Sequence, residues 1–443
     1  MNKRILFLLA ASAALSSCSY MPSWMGGKVE EKPKLLGERK VALEVDSGLA
    51  PDNELINSKP VLPSVTANAD WSQHSGVFTA VTGNIAGGKF DIKTSAKAGD
   101  GNSFSHSLVP RPVVAGGMVF VMDAAGIISA HDAVNISEVR WKSSVIADVD
   151  EYEVIGGGLA VSGDNLYATT GQGQVAALNA KNGKELWQKN FFVPMRGSPR
   201  VAGNLVIVMT IDSQTYALST KTGDILWTHR GINETSAVMN SVSPTIAGND
   251  VLVPYSSGEL FALSILDGKE LWNDSLLTNK YTQASSVFTG IGADPVVDGE
   301  FAFVTSNGGV TAAINIPRGR RVWQQKAASL NAPWLAGNEL FLLTADNTLV
   351  DFVKYDGKIR WTTALASYED SENKLNPISW RGPVLVAGNL LVVSSNGNLV
   401  IVSATTGKII ETKSIPSDIV TAPVVAGGRL YLVGQDATLY SFQ

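Results

Sequence analysis

The sequence predicts an all-β fold: an eight-bladed β-propeller of four-stranded antiparallel blades that is closed by an N-terminal strand. Three observations lead to this prediction: a recurring Pro-x-x-x-Gly phrase, an apolar run after each copy, and a tight turn that ends in tryptophan. Self-similarity at a roughly constant period is typical of repeat architectures, and about 44 residues suffice for a blade of four short strands. Eight copies between residues 89 and 443 therefore predict eight blades.

The Pro-x-x-x-Gly phrase marks the beginning of each repeat. Six copies are regular, one has an extra residue and one has glycine in place of proline: Pro112–Gly116, Gly158–Gly163, Pro199–Gly203, Pro244–Gly248, Pro295–Gly299, Pro333–Gly337, Pro383–Gly388 and Pro423–Gly427. An apolar run such as Leu205–Thr210 or Phe301–Thr305 follows each copy. Because these runs are short and rich in branched residues, they favour strands buried on both faces over helices.

A tight turn and a tryptophan close most repeats. Asn182-Gly183 and Asp267-Gly268 are residue pairs that two-residue hairpin turns favour, and a tryptophan follows four residues after each glycine. We interpret the tryptophans as structural wedges between neighbouring blades: Trp141, Trp187, Trp227, Trp272, Trp323 and Trp361. In the seventh repeat, Glu411 stands at the tryptophan position.

The last repeat lacks its turn and its tryptophan, because the sequence stops at Gln443, directly after the strand-like Thr438–Phe442. An open strand edge invites aggregation unless another strand covers it. Apolar and polar residues alternate over residues 89–95, which predicts an N-terminal strand that pairs with this edge. Ile92 is then expected at the position that tryptophan holds in the other blades.

The N-terminus has the pattern of an export signal followed by a lipid attachment site. A short basic start precedes the apolar run Ile5–Leu15, whose 11 residues fall short of the roughly 20 that cross a bilayer. Leu15–Cys18 resembles the bacterial lipobox, in which the cysteine thiol receives diacylglycerol. The resemblance implies a signal peptide over residues 1–17, a lipidated Cys18 and, because Ser19 follows, sorting to the outer membrane.

The sequence predicts three segments: the signal peptide over residues 1–17, a lipidated N-terminus and tether over residues 18–88, and the propeller over residues 89–443. Pro51 and Pro60 interrupt regular elements within the tether. Its main role is therefore expected to be to span the distance between the lipid anchor and the propeller.

The composition argues against several classes of function. A net charge of −5 offers no basic face to nucleic acid. Four histidines without ligand spacing predict no metal site, and one cysteine excludes a disulfide within the chain. Gly171–Ala176 fits a dinucleotide-binding pattern, but it lies between two predicted strands and does not open a helix, so it indicates a hairpin turn. We therefore predict no cofactor, no metal and no catalytic residue.

The phrase from proline through the turn to tryptophan resembles the repeat of PQQ-dependent quinoprotein dehydrogenases. Combined with the lipobox and a propeller of this size, the chain from Cys18 to its end resembles the BamB family, the lipoprotein propellers of the outer-membrane β-barrel assembly (BAM) machinery. The resemblance implies a non-catalytic scaffold that is lipid-anchored at the periplasmic face of the outer membrane. It also implies binding to the POTRA domains of BamA, to other BAM subunits and to unfolded outer-membrane proteins.

The resemblance places the partner-binding surface on two long connections, over residues 229–243 and 275–294. The implied contact residues are Val238, Met239, Ile291 and Asp294. The family typically has leucine and arginine in the first connection and two aspartates in the second. This sequence lacks that arginine and has Gly290 and Gly292 near the aspartate positions. An alternative is that the apolar residues of these connections fill the mouth of the propeller.

Two other functions remain open from the sequence. A PQQ-dependent dehydrogenase typically has adjacent cysteines, a calcium-binding set of Glu, Asn and Asp, and a tryptophan beneath the quinone. Cys18 is the only cysteine, so the first of these features is missing. A propeller that binds an envelope glycan or another envelope partner is the second alternative, which affinity purification from membranes would separate from the scaffold.

Overall fold

A computed structural model describes residues 48–56, 58–73, 83–101, 110–146, 157–232, 241–276 and 290–443. Cys18, Val238 and Met239 lie outside these ranges. The described residues form strands and turns, with one short 3-10 turn at Ile316–Arg318 and no α-helix among them. No helix within this part of the chain is long and apolar enough to cross a membrane.

Three short strands precede the repeats: β1 (Val65–Thr66), β2 (Asn84–Ile85) and β3 (Ile92–Lys97). Sheet 1 contains β4 (Val113–Ala115), β5 (Met118–Met122), β6 (Ile127–Asp132) and β7 (Val139–Ser144). Sheet 2 contains β8 (Gly157–Ser162), β9 (Asn165–Thr170), β10 (Gln174–Asn179) and β11 (Glu185–Asn190). Sheet 3 contains β12 (Arg200–Ala202), β13 (Leu205–Met209), β14 (Gln214–Ser219) and β15 (Ile225–Arg230). Sheet 4 contains β16 (Thr245–Ala247), β17 (Asp250–Pro254), β18 (Glu259–Ser264) and β19 (Glu270–Ser275).

The second half of the chain continues the pattern. Sheet 5 contains β20 (Val296–Asp298), β21 (Phe301–Thr305), β22 (Thr311–Asn315) and β23 (Arg320–Gln325). Sheet 6 contains β24 (Trp334–Ala336), β25 (Glu339–Leu343), β26 (Thr348–Val353) and β27 (Ile359–Ala364). A separate hairpin of β28 (Tyr368–Asp370) and β29 (Leu375–Pro377) follows. Sheet 7 contains β30 (Trp380–Val386), β31 (Asn389–Ser394), β32 (Asn398–Ser403) and β33 (Ile409–Ser414), and sheet 8 contains β34 (Val424–Ala426), β35 (Arg429–Val433) and β36 (Thr438–Phe442).

These sheets confirm the predicted propeller of four-stranded antiparallel units. Strands pair in chain order within each sheet, and β1 and β2 extend sheet 7 through parallel pairing beside β30. First strands of adjacent sheets contact each other, as β4 with β8 and β12 with β16 do, so the first strands line the centre of the ring. Eight sheets with at least four strands lie within the described residues once β3 is counted in sheet 8. Their number agrees with the predicted eight blades, which remain a prediction for the ring as a whole.

Strand direction gives the ring two ends. Because neighbouring strands are antiparallel, the connection from the fourth strand of one sheet to the first strand of the next always lies at the same end, which we call the loop end. The opposite end, the turn end, carries the last glycine of each Pro-x-x-x-Gly phrase and the turn that precedes the tryptophan. The two predicted partner-binding connections therefore lie at the loop end.

The N-terminal strand completes sheet 8, as predicted. β3 pairs antiparallel with β36, and Ser95 lies opposite Tyr440. The strand begins at Ile92 and ends at Lys97, later than the predicted residues 89–95. A bulge between Ile92 and Thr94 places Thr94 opposite Ser441, the position that tryptophan holds in other sheets, so the expectation for Ile92 was wrong.

The tryptophans lie between adjacent sheets. The Trp141 ring packs on the turn of sheet 2, where a Cβ at Gly183 would approach the ring to 2.5 Å. Its Nε1 donates a hydrogen bond of 2.9 Å to the Ala180 carbonyl. The same donation from each sheet to the next is made by Trp187, Trp227, Trp323 and Trp361. Each of these five tryptophans therefore fills the space at a sheet boundary and donates a hydrogen bond to a backbone carbonyl of the next sheet.

Tyr431 takes over the role of tryptophan where sheet 8 meets sheet 1. Ala133 corresponds to Ala180 in the repeat, and its carbonyl accepts a hydrogen bond of 2.6 Å from the Tyr431 hydroxyl. Burial raises the pKa of Tyr431 to about 12, so the hydroxyl keeps its proton at neutral pH. At this boundary a tyrosine hydroxyl therefore donates the hydrogen bond that a tryptophan Nε1 donates at other boundaries.

Asp351 departs from the repeat at the position opposite the tryptophan. Alanine occupies this position in five sheets: Ala130, Ala177, Ala217, Ala262 and Ala313. In sheet 6, the fully buried Asp351 lies opposite Trp361. Burial, together with the nearby carboxylate of Glu339, raises the pKa of Asp351 to about 9. Arg360 pairs with Glu339 at 2.8 Å and partly offsets this effect.

Replacing Asp351 with alanine, the residue of the other repeats, is expected to stabilise the protein increasingly as the pH rises. Between pH 4 and 9 the unfolded state ionises Asp351 while the folded state keeps it protonated, so the unfolded state binds fewer protons and stability falls with rising pH. The variant lacks this slope, which reaches about 1.4 kcal/mol per pH unit at most. Denaturant unfolding at pH 5, 7 and 8.5 measures it. Asp164→Ala is the control, because Asp164 forms an exposed ion pair with Lys181. An equal dependence of the unfolding free energy on pH in the wild type, Asp351→Ala and Asp164→Ala would contradict the prediction.

Residues 48–56 and 58–73, which we call the strap, cross the turn end of the ring. The Asp52 N–H donates to the Ile359 carbonyl of sheet 6, and the Ile359 N–H donates back to the Asp52 carboxylate at 2.7 Å. Further along, the Asn68 side-chain amide donates a hydrogen bond to the Val425 carbonyl of sheet 8. Trp71 and Val114 of sheet 1 exchange backbone hydrogen bonds. Backbone contacts with the sheets therefore begin well before the predicted boundary at residue 89.

The end of the strap reaches two more sheets. The Val161 N–H of sheet 2 donates to the Ser72 carbonyl, and the Gln73 amide both donates to and accepts from the Val201 backbone of sheet 3. The buried Trp71 ring stacks on Trp334 of sheet 6 at 6.1 Å. Because sheets 6, 8, 1, 2 and 3 all contact one segment, the strap ties much of the ring together.

Candidate functional site

Five charged residues meet at the ring centre near the loop end, and we call them the axial cluster: Arg111, Arg196, Arg200, Asp294 and Arg381. They belong to sheets 1, 3, 5 and 7, at or just before the first strand of each. Asp294 influences the pKa values of the first three, and Arg381 influences that of Arg111. Arg200 of sheet 3 and Asp294 before sheet 5 lie 3.3 Å apart, and side chains from alternate sheets come this close only near the axis of a ring.

Arg196 and Arg200 reach from sheet 3 towards the next two sheets. Arg196 donates from Nη1 to the Pro254 carbonyl at 2.7 Å and from Nη2 to the Ile291 carbonyl at 3.2 Å. Arg200 donates from Nε to the Pro244 carbonyl at 2.9 Å. Both side chains are almost fully buried, and burial lowers the pKa of Arg196 to about 10. Arg196 therefore remains charged at neutral pH, and the hydrogen bonds of both arginines fix the backbone of sheets 4 and 5.

Asp294 joins the bases of the two predicted partner-binding connections. Its Oδ1 accepts the Ser243 N–H at 2.7 Å, and its Oδ2 pairs with Arg200 at 3.3 Å. Beside it, the Thr245 hydroxyl donates to the Pro295 carbonyl at 2.7 Å. The connection before sheet 4 and the connection before sheet 5 thus leave the ring from one shared, rigid base.

Two of the predicted contact residues, Ile291 and Asp294, have buried side chains. Ile291 is 1% exposed and pairs with Ser306 through its backbone, and Asp294 is 3% exposed. Both residues lie at the bases of the connections, and their contact with a partner remains a prediction. Val238 and Met239 lie outside the described residues.

The axial cluster was missed from the sequence although a signal for it exists. Charged residues stand directly beside the proline of the phrase in Arg111-Pro112, Pro199-Arg200 and Asp294-Pro295. Other repeats have small or apolar residues at these positions. Since the phrase begins the first strand, a charged residue beside its proline lies near the axis. A charge at this position in some repeats and not in others is therefore the sequence signal for the cluster.

The described residues do not fit a quinone held by calcium. No group of three His, Cys, Asp or Glu that could hold a metal lies within the described ranges. The axial cluster contributes one carboxylate, Asp294, and the tryptophans of the turn motif lie between sheets and away from the axis. A calcium ion prefers six to eight oxygen ligands, which this arrangement does not supply.

Sheets, repeat and site together define a β-propeller of quinoprotein-type repeats with arginines at its axis. The family model described as outer membrane protein assembly factor BamB matches residues 124–363 and 367–443. The chain belongs to this family.

Relatives and solved structures agree with this assignment. BamB of Yersinia pestis is 25% identical over 358 residues, which cover 79% of this chain and 87% of that protein. BamB of Escherichia coli K12 is 26% identical over 360 residues, with the same coverage of 79% and 87%. The crystal structure of BamB from Moraxella catarrhalis matches with a TM-score of 0.67 at 18% identity, covering 80% of this chain and 99% of that one.

The fold is also similar to that of an enzyme. Quinohemoprotein alcohol dehydrogenase from Comamonas testosteroni matches with a TM-score of 0.66 at 13% identity, covering 84% of this chain and 80% of that one. At this level of identity the likeness concerns the fold alone, because one propeller fold hosts many functions.

Proposed function

We propose that this protein is a non-catalytic scaffold of outer-membrane β-barrel assembly, which binds the POTRA domains of a BamA-like subunit through the loop end of its ring. Membership of the BamB family supports the process. The observation that carries the binding surface is the shared base of two neighbouring connections, where Asp294 holds both Ser243 and Arg200. A rigid base limits the entropy that the connections lose on binding.

The proposal includes a lipid anchor on Cys18 that keeps the ring at the periplasmic face of the outer membrane. Each buried acyl CH2 contributes about 0.8 kcal/mol, so several chains on one cysteine hold a soluble domain firmly. The strap supports this arrangement, because residues 48–73 join the N-terminal side of the chain to the turn end. The loop end, on the opposite side of the ring, remains available to a partner.

Met239→Glu is expected to reduce recovery of the BamA-like subunit in pull-downs from mild-detergent membranes at least several-fold, because a charge replaces an apolar contact. Leu266→Glu is the matched control: Leu266 is 85% exposed and lies in a turn of sheet 4 at the turn end. Thermal unfolding of both variants reports whether the fold is intact.

The same experiment distinguishes the alternatives. Unchanged recovery with Met239→Glu would move the contact away from the first connection, and equal loss with both variants would contradict a surface at the loop end. Absence of BAM subunits from the purified material, with a glycan or another envelope protein in their place, would favour the other binding function. The dehydrogenase alternative is supported by fold likeness alone.

A further inference from the structure

The connection between sheets 2 and 3 presents an aromatic side chain to solvent at the loop end. Phe192 lies two residues after the end of β11 and is 84% exposed. Ile232, in the next connection along the ring, is also exposed. Single exposed apolar residues are common at protein surfaces, so exposure alone does not indicate a binding role.

The backbone of Phe192 is the second observation. Its φ is +57°, in the left-handed region that glycine adopts freely and that other residues rarely adopt. Phe90 also has a left-handed backbone, with a φ of +59°, but it is buried, and the packing of its ring offsets the cost. The exposed ring of Phe192 gains no such packing. Glycine would therefore suit this turn better, and a phenylalanine here indicates a role for the ring outside the fold.

Contacts on both sides of the peptide before Phe192 hold the residue in this conformation. Its N–H donates to the Asn190 Oδ1 at 2.9 Å, and the Phe191 N–H donates to the Gly173 carbonyl at 2.9 Å. The Phe191 ring packs on Tyr216 of sheet 3, with 4.6 Å between the ring centroids. The Phe192 ring therefore projects from a rigid support, which limits the entropy that is lost when a partner binds it.

This support is continuous with the base of the proposed binding surface. A Cβ at Gly197 would lie 2.4 Å from the Val242 carbonyl oxygen, so the connection before sheet 3 is in direct contact with the connection before sheet 4. Arg196, from the same connection as Phe192, donates to the Ile291 carbonyl of the connection before sheet 5 at 3.2 Å. Three neighbouring connections thus leave the ring from one packed base.

We propose that Phe192 is an aromatic anchor for the BamA-like subunit, and that its ring inserts into an apolar pocket of that partner. This inference rests on the proposed scaffold function and extends its binding surface to the connection before sheet 3. A few aromatic side chains that become buried at an interface carry a large share of the binding energy. Because the backbone already holds the ring away from the fold, binding requires little reordering of the scaffold.

The test measures the affinity of the full mature chain in detergent for the purified BamA-like subunit, together with thermal unfolding of each variant. Phe192→Gly is expected to raise the Kd at least about tenfold, as the loss of a buried aromatic contact does. The same substitution is expected to leave the Tm unchanged or to raise it by about 1–2 degrees, because glycine adopts the left-handed backbone without strain. Phe192→Leu, which keeps an apolar side chain, is expected to lose less affinity.

Lys374→Gly is the matched control. Lys374 also has a left-handed backbone, with a φ of +54°, and is exposed at the tip of the hairpin of β28 and β29, which lies at the loop end between sheets 6 and 7. We expect this variant to bind with the wild-type Kd. A wild-type Kd in Phe192→Gly, an equal loss in both glycine variants, or a Tm several degrees lower in Phe192→Gly would overturn the anchor alone. Failure of the wild type to bind the subunit would overturn the scaffold function and the anchor with it.

Discussion

Deletion of residues 85–97 is expected to abolish cooperative unfolding of the ring. The deletion removes β3, whose backbone pairs with β36 from Ile92↔Phe442 to Lys97↔Thr438. Sheet 8 is then left with three strands and an open edge, and the boundary with sheet 7 loses the ion pair between Lys413 and Asp91. Circular dichroism and tryptophan fluorescence during thermal unfolding measure the effect, and we expect transitions that are broad and no longer coincide.

The hairpin of β28 and β29 offers a control of similar size. Its strands pair only with each other, so deletion of residues 368–377 leaves every four-stranded sheet intact. We expect this variant to unfold cooperatively. A protein that lacks residues 85–97 and unfolds like the hairpin deletion would show that β3 does not close the ring.

Trp187→Ala is expected to lower the free energy of unfolding by about 3–5 kcal/mol, as large-to-small substitutions of aromatic core residues do. The ring fills the boundary between sheets 2 and 3, where it contacts the turn at Gly223 and lies 6.2 Å from the Tyr167 ring. Its Nε1 also donates a hydrogen bond of 2.9 Å to the Thr220 carbonyl, and the substitution removes this donor. Equilibrium unfolding in urea measures the loss.

Leu186→Ala is the matched control because Leu186 precedes the tryptophan in the same strand and is 48% exposed. We expect it to change the free energy of unfolding by roughly 0.5 kcal/mol or less, as surface substitutions usually do. Similar losses for Leu186→Ala and Trp187→Ala would contradict the role of the tryptophan as a wedge between sheets.

Much of the fold could be predicted because the same local pattern, a phrase, an apolar run and a tight turn, recurs in most repeats. The predicted run Phe301–Thr305 coincides with β21, and Leu205–Thr210 exceeds β13 by one residue. Gly183 and its counterparts have positive φ, as their turns require. Such features are local, so single residue types in fixed order reveal them.

Other features depend on neighbours that are distant in the sequence. Thr94 replaced Ile92 at the tryptophan position because a bulge shifts the register, and hydrophobic alternation does not predict a bulge. The strap bonds the ring through its backbone and through polar side chains such as Asn68 and Gln73, whose partners lie in distant sheets and leave no local pattern in the sequence. Arg200 of sheet 3 pairs with Asp294 before sheet 5, so their proximity follows from the arrangement of the sheets in a ring and not from any one repeat.

The central claim is that the repeats form a ring of eight sheets that the N-terminal strand closes around an axis lined with arginines. An experimental density map of the mature protein tests it most directly. We expect eight four-stranded sheets, with residues 92–97 as the outer strand of the last one, beside β36. A map with seven sheets, or with residues 92–97 separated from β36, would contradict the claim.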